Sequence, residues 1–271
     1  MNIYNDIKVI ITDLDGTLLN PLHAISKYTQ SVFQELHKQN YLIIVATGRH
    51  HLDAMPLLEP LGFPVYLITS NGARIHSPTK ELLFAFDIKS ETIQSVLSLG
   101  IPSDFTTVLY RENVWYTNKH NEKLNEFQPE MKYLPQIVNY NEEKDLSTIK
   151  MFFTHEKHSK LVELRDAILE KHADLLSHAF SLPLCLEFMD LSVDKSVAIA
   201  KVLEIENYRF DQAISFGDGY NDERMLTSTA IGLIMGNAPD SLKTKLSQLE
   251  VILTNGEDGV AQYLSENILN Q

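Results

Sequence analysis

Residues 8–17 read KVIITDLDGT. The first half is short, apolar and β-branched, the pattern of a buried strand. The second half is a polar turn in which Asp13 and Asp15 flank Leu14 and precede Gly16. In an open α/β sheet, ligands bind outside the carboxyl ends of the strands. Asp13 is therefore expected at a strand mouth, and Asp15 can turn to the same mouth once the chain leaves the strand. Gly16 permits a tight turn and close backbone approach. Two carboxylates in different environments can act as nucleophile and as acid/base, and together they make a hard-oxygen metal site. The plainer alternative is an acidic β-turn, since Asp and Gly are common turn residues.

Outward from this stretch, strand and helix patterns alternate. Ile25, Tyr28, Val32, Phe33 and Leu36 recur at helical spacing. Residues 42–46 (LIIVA) read as a second buried strand. A helix follows over 51–61, interrupted by Pro56, and 66–69 (YLIT) forms a third strand closed by Asn71-Gly72. The last third repeats the pattern: helices over 195–203, 222–227, 241–249 and 259–264, and strands over 213–216, 232–235 and 251–253. Such alternation implies parallel pairing. The middle breaks it, with Trp115, a polar stretch over 118–126, and segments 106–110 and 114–117 that could pair antiparallel. The expected architecture is α/β: a Rossmann-like parallel-sheet core built from residues 1–83 and 189–271, with an α+β cap domain inserted over 84–188.

The 271 residues carry a net charge of -13, with 44% hydrophobic and 22% charged side chains. The balance is that of a globular protein. The acidity argues against a nucleic-acid or anionic-membrane partner. An anionic substrate would then need local positive potential. The single cysteine, Cys185, excludes an internal disulfide framework and suits a reducing compartment. The polar start of the chain does not read as a secretory signal, and no apolar run approaches the length of a membrane span. A cytoplasmic location is expected.

Three further motifs fall at strand ends or helix starts. In Ala46-Thr47-Gly48-Arg49, a hydroxyl and free backbone N–H groups before a helix could hold a phosphate; a plain helix cap is the alternative. In Phe216-Gly217-Asp218-Gly219-Tyr220-Asn221-Asp222, Asp218 lies at the strand end, and Asn221 and Asp222 open the next helix. Asp222 stands where a dinucleotide fingerprint has its third glycine, so this is no nicotinamide site. An acidic helix N-terminus would be stabilising without any chemistry. Lys195, at a helix start, could clamp a phosphate and separate crowded carboxylates; a lone Lys there is ordinarily solvent-exposed.

The order of these motifs and the insertion between them closely resemble the haloacid dehalogenase superfamily of phosphatases, and within it the Cof-type subfamily. Residues 47–51 (TGRHH), Ser70-Asn71-Gly72, 218–226 (DGYNDERML), 234–238 (IMGNA) and 256–261 (GEDGVA) fit that subfamily. The stretches 66–83 and 185–189 look most like members acting on a thiamin pyrimidine pyrophosphate, with pyridoxal-phosphate and sugar-phosphate phosphatases close behind. Ser196 stands where the family usually has glycine. The resemblance implies Mg2+-dependent hydrolysis of a small phosphorylated metabolite, with Asp13 as nucleophile and Asp15 as acid/base. It places Mg2+ on the Asp13 carboxylate, the Asp15 main-chain carbonyl and Asp218. It places the phosphoryl oxygens on Thr47, Lys195, Asn221 and the amides of Leu14 and Gly48, with Asp222 behind them. A phosphomutase sharing these groups and a binding regulator without catalysis are the alternatives. A dehalogenase has no need of the second aspartate.

Other residues receive plainer readings. His155 and His158 are spaced i, i+3, not the i, i+4 of a zinc-protease helix. Adjacent His50 and His51 do not easily aim both rings at one metal. Trp115 and Tyr116 are expected to pack, and Cys185 to be a small buried apolar residue. The chain has neither a G-x-x-x-x-G-K phosphate loop nor a G-x-S-x-G elbow.

Overall fold

The apolar run of residues 8–12 forms β1 (Val9–Thr12), buried at every position. In this computed structural model, which describes residues 3–122, 124 and 135–270, β1 pairs in parallel with β2 (Leu42–Ala46), and β2 with β3 (Tyr66–Thr69). The chain then reverses at Ser70–Gly72 and returns antiparallel as β4 (Arg74–His76) and β5 (Leu82–Ala85). Next come β6 (Thr106–Tyr110), β7 (Trp115–Thr117), β8 (Gln136–Ile137), β9 (Lys150–Thr154), β10 (Leu176–Leu182) and β11 (Cys185–Asp190). The first sheet then resumes with β12 (Ala213–Gly217), β13 (Ile231–Ile234) and β14 (Glu250–Val251). Among the described residues its order is β14-β13-β12-β1-β2-β3-β4-β5. The six strands β14, β13, β12, β1, β2 and β3 pair in parallel, as the alternation implies, and β4 and β5 add an antiparallel edge. The short turn after β3 leaves no room for a crossover helix, so the next strand must pair antiparallel.

Both faces of this sheet are covered. Ile10, Val45 and Phe216 pack with Phe33 and Leu36 of helix Lys27–Lys38 and with Leu264 of helix Gly259–Leu264. On the other face, Val9, Ile11 and Ile44 meet Ile199 and Val202 of helix Lys195–Ile205 and Met225 of helix Glu223–Ser228. Each such side chain contributes about 1.5–3 kcal/mol of burial. Two expected members of the first helical stripe behave differently. Tyr28 is 42% exposed, and Ile25 is buried ahead of the helix, which starts after the N-cap Ser26. Pro56 sits inside helix His51–Leu58, and a 3-10 turn over Glu59–Leu61 completes the stretch. Toward the carboxyl end, helix Asp240–Lys245 and strand β14 are shorter than the expected 241–249 and 251–253.

The chain divides into two compact units, Met1–Ala85 with Asp194–Gln271, and Phe86–Val193. The divisions fall two and five residues beyond 83/84 and 188/189. Strand β5 pairs with β4 and so belongs to the first unit, and β11 runs on to Asp190 within the second.

The second unit has its own sheet, ordered β10-β11-β9-β6-β7-β8 among the described residues. The expected pairing of 106–110 with 114–117 is present, antiparallel between β6 and β7. One face carries Leu109, Met151, Phe153 and Phe188 against Ile93 and Val96 of helix Ser90–Leu97 and Leu161 and Ile168 of helix His158–His172. Val108, Tyr110, Trp115, Phe152 and Cys185 form a separate cluster, so Trp115 and Cys185 are packing residues here. Residues 123, 125 and 126 of the polar stretch lie outside the described residues. Among the described residues, no helix is long and apolar enough to cross a membrane.

Candidate active site

Asp13 follows β1 directly, and its amide donates to the Phe216 carbonyl of β12 at 3.0 Å, which ties together the carboxyl ends of the two strands that carry the acidic motifs. The chain then turns through Gly16 at φ +70°, and a Cβ there would overlap the Asp218 carboxylate. Glycine suits the left-handed conformation and leaves room for the Asp218 side chain.

Around Asp13 the charges are tightly paired. Lys195 Nζ donates to Asp13 Oδ1 at 2.5 Å and to Asp222 Oδ1 at 2.6 Å, and its side chain is fully buried. The ordinary exposed lysine at a helix start is therefore not what this chain has. Asp194 caps the same helix, accepting from the Ser196 and Val197 amides at 2.8 and 3.3 Å, while the Ser196 hydroxyl donates to it at 2.5 Å. Ser196 thus fits its position and strengthens the cap that aims Lys195. Asp222 is completely buried. Its second oxygen accepts from the Asp218 and Gly219 amides at 3.1 and 2.9 Å. It therefore shapes the loop that carries Asp218.

Oxygens of Asp13, Asp218 and Asp222 lie within 4.8 Å of one another. Three carboxylates share one lysine, so full ionisation would leave this cluster with excess negative charge. Burial pushes the Asp13 carboxyl up to about 8, with Asp222 and Asp218 adding to the push, while Lys195 pulls it down. Burial, then Asp222, raises Asp218 to about 6. Burial works against the charge on Lys195, but Asp13 and Asp222 outweigh it and hold the ammonium protonated. A crowded set of oxygen donors resisting ionisation matches a hard divalent cation such as Mg2+. The Asp15 carboxylate stands apart from the set. Arg49 grips both its oxygens at 2.7 Å.

The second motif forms the neighbouring wall. Thr47 is buried at the end of β2, and its hydroxyl accepts from the Arg49 amide at 3.1 Å, a local turn contact. The Asn71 amide donates to the Thr47 carbonyl, and the Asn71 side chain lies against Gly48. Asn221 Nδ2 donates to Asn71 Oδ1 at 3.0 Å, linking this wall to the acidic loop. Leu14 is buried immediately after Asp13. The sequence reading assigned no role to Arg49, Asn71, Thr17 or Asn237. Thr17 donates to Asp218 Oδ1 at 3.2 Å, and Asn237 donates to the Gly16 carbonyl at 2.8 Å. Asn71 and Asn237 lay inside quoted motifs, but no spacing rule marks an amide whose partner is far away in the chain.

The chain matches the family of haloacid dehalogenase-like hydrolases over residues 10–264. A Buchnera aphidicola protein, whose name assigns it to the phosphatases without a substrate, is 34% identical over 97% of this chain and 96% of its own length. The HMP-PP phosphatase of Yersinia pseudotuberculosis is 31% identical, covering 93% of this chain and 92% of its own. A crystal structure from Thermotoga maritima superposes with a TM-score of 0.85 at 24% identity, over 96% of this chain and 97% of that one. The fold is that of the Thermotoga protein, and the chain belongs to the haloacid dehalogenase-like hydrolases.

Proposed function

We propose that the protein is a Mg2+-dependent phosphatase that hydrolyses phosphate esters of small metabolites through an aspartyl-phosphate on Asp13. The observation that carries this reading is the arrangement of Asp13: it sits at the carboxyl end of the central strand, fixed by a buried lysine, with Asp218 and Asp222 beside it. Asp13 Oδ2 makes the new bond to phosphorus in line with the breaking P–O bond. Lys195 holds Oδ1 and so orients the carboxylate toward the incoming phosphoryl group. Asp15 gives a proton to the leaving alkoxide and later accepts one from the water that cleaves the acyl phosphate. To do so it must give up at least one of its two contacts with Arg49. Thr47, Lys195, Asn221 and the Leu14 and Gly48 amides are the donors proposed for the phosphoryl oxygens. Asp13, Asp218 and the Asp15 carbonyl would hold Mg2+, which offsets repulsion between a carboxylate nucleophile and an anionic phosphate.

The residues 84–188 insertion is assigned the role of a cap that reads the leaving group. The name of the Yersinia relatives makes HMP-PP the first substrate to try, with pyridoxal phosphate and sugar phosphates beside it. Phosphate release from this panel and from p-nitrophenyl phosphate, with Mg2+ and with chelator, tests the reading. Metal-dependent release by the wild type, lost in Asp13→Asn, supports it. No release from any compound would leave a binding regulator as the better account.

A further inference from the structure

Ser70, Asn71 and Gly72 form three consecutive left-handed residues, with φ of +49°, +57° and +110°. Non-glycine residues rarely adopt this conformation, and when they do it concentrates at functional sites. The turn is anchored on every side. The Ser70 amide donates to the Arg49 carbonyl at 2.8 Å and the Asn71 amide to the Thr47 carbonyl at 3.0 Å. A Cβ on Gly72 would overlap the backbone of Asp194, the cap that precedes Lys195. The Asn71 side chain then reaches two motifs at once. Its Oδ1 accepts from Asn221, and the same atom would lie 3.1 Å from a Cβ built on Gly48.

We infer that Asn71 is a positioning residue of the phosphate-binding site, holding the Asn221 amide in register with the Thr47–Gly48 wall. Three motifs distant in sequence converge on this one turn, and Asn71 is the member whose side chain spans them. Asparagine suits the position twice over: it tolerates the left-handed conformation better than other non-glycine residues, and its carbonyl oxygen accepts from Asn221. With one Asn221 Nδ2 hydrogen committed to Asn71, the other remains available for a phosphoryl oxygen. The inference rests on the phosphatase reading above.

The test is a double-mutant cycle on the full-length protein with Asn71→Gly, Asn221→Ala and both. Glycine keeps the turn and removes only the side chain. The readouts are calorimetric affinity for inorganic phosphate with Mg2+, KM and kcat on p-nitrophenyl phosphate, and the thermal midpoint. Asn71→Gly is expected to weaken phosphate binding and raise KM by about tenfold, the scale of one hydrogen bond to a charged group. In the Asn221→Ala background the same change should add less than about twofold, because the two residues act together. Full additivity overturns the inference. So does a lowered thermal midpoint with unchanged phosphate affinity. Should Asn71→Gly not fold, Asn71→Ser serves instead, since its hydroxyl stops one bond short of the Oδ1 position that accepts from Asn221. It should weaken phosphate binding as much, and unchanged affinity overturns the inference. A wild type that binds phosphate but hydrolyses nothing would count against the phosphatase reading while leaving this one standing.

Discussion

Lys195 shows how one side chain organises the candidate site. Its buried ammonium contacts Asp13 and Asp222, and removing it would leave carboxylates buried without their cation. Breaking a buried pair in this way typically costs about 3–5 kcal/mol. Lys195→Met should therefore lower the thermal midpoint clearly in chelator. Asp13→Asn should not, because Asp222 remains to pair with Lys195; its turnover should nevertheless fall by orders of magnitude. Melting both variants in chelator separates the two effects. The raised carboxyls also give a pH dependence. Asp13 and Asp218 keep their protons to about 8 and about 6 in the folded state, whereas in the unfolded chain they ionise near the ordinary value. On their account, stability in chelator declines as pH climbs from about 4 to about 8. Protons compete with the cation for the same oxygens, so Mg2+ affinity should rise over that range and level off above it. A Mg2+ affinity that is flat from pH 5 to 8 would contradict this picture. Asp218 and Asp222 should also part company. In a titration of Mg2+ against activity, Asp218→Ala should raise the Mg2+ concentration needed more than Asp222→Ala does. Asp222→Ala should cost more stability, because it strips two loop amides of their acceptor and Lys195 of one of its two carboxylates.

At the scale of elements, the cap on helix Lys195–Ile205 carries the most weight. Asp194 accepts from the Ser196 and Val197 amides, and Asp194→Ala should cost about 1 kcal/mol. Because the cap aims Lys195, the same variant should also lose activity; a melt and a rate on one preparation check both. Several elements of the first unit were legible in the sequence. Residues 42–46, 66–69 and 259–264 form the expected strands and helix at those limits, because dense β-branched runs and clean helical spacing leave few alternatives. The acidic motifs were legible for a related reason: turns at strand ends need Asp and Gly anyway, and chemistry adds more of them. What could not be read was pairing at a distance. Strands β4 and β5 are short and follow a turn whose left-handed geometry no composition rule marks. The grip of Arg49 on Asp15 joins residues 34 apart in sequence, and that of Asn221 on Asn71 joins residues 150 apart.

The whole molecule contains two units, each with its own sheet and apolar core. The only tryptophan, Trp115, lies in the second, so its fluorescence reports on that unit, while the carboxylates proposed to hold the cation belong to the first. A ligand that binds only the folded form raises the stability of the part that binds it. Mg2+ should therefore shift the midpoint seen by far-ultraviolet circular dichroism more than the one seen by Trp115. The charge balance is also a property of the whole. On the proposed reading, a chain of net charge -13 meets its anionic substrate with a buried lysine, the Leu14 and Gly48 amides and a bound cation. The central claim, that Asp13 attacks phosphorus, is tested most directly by acid-quenching a single turnover on whichever compound is hydrolysed and mapping phosphate by mass spectrometry. The account predicts phosphate on the peptide containing Asp13, and none in Asp13→Asn. Turnover that proceeds at the wild-type rate in Asp13→Asn, with no phosphate on that peptide, would contradict it.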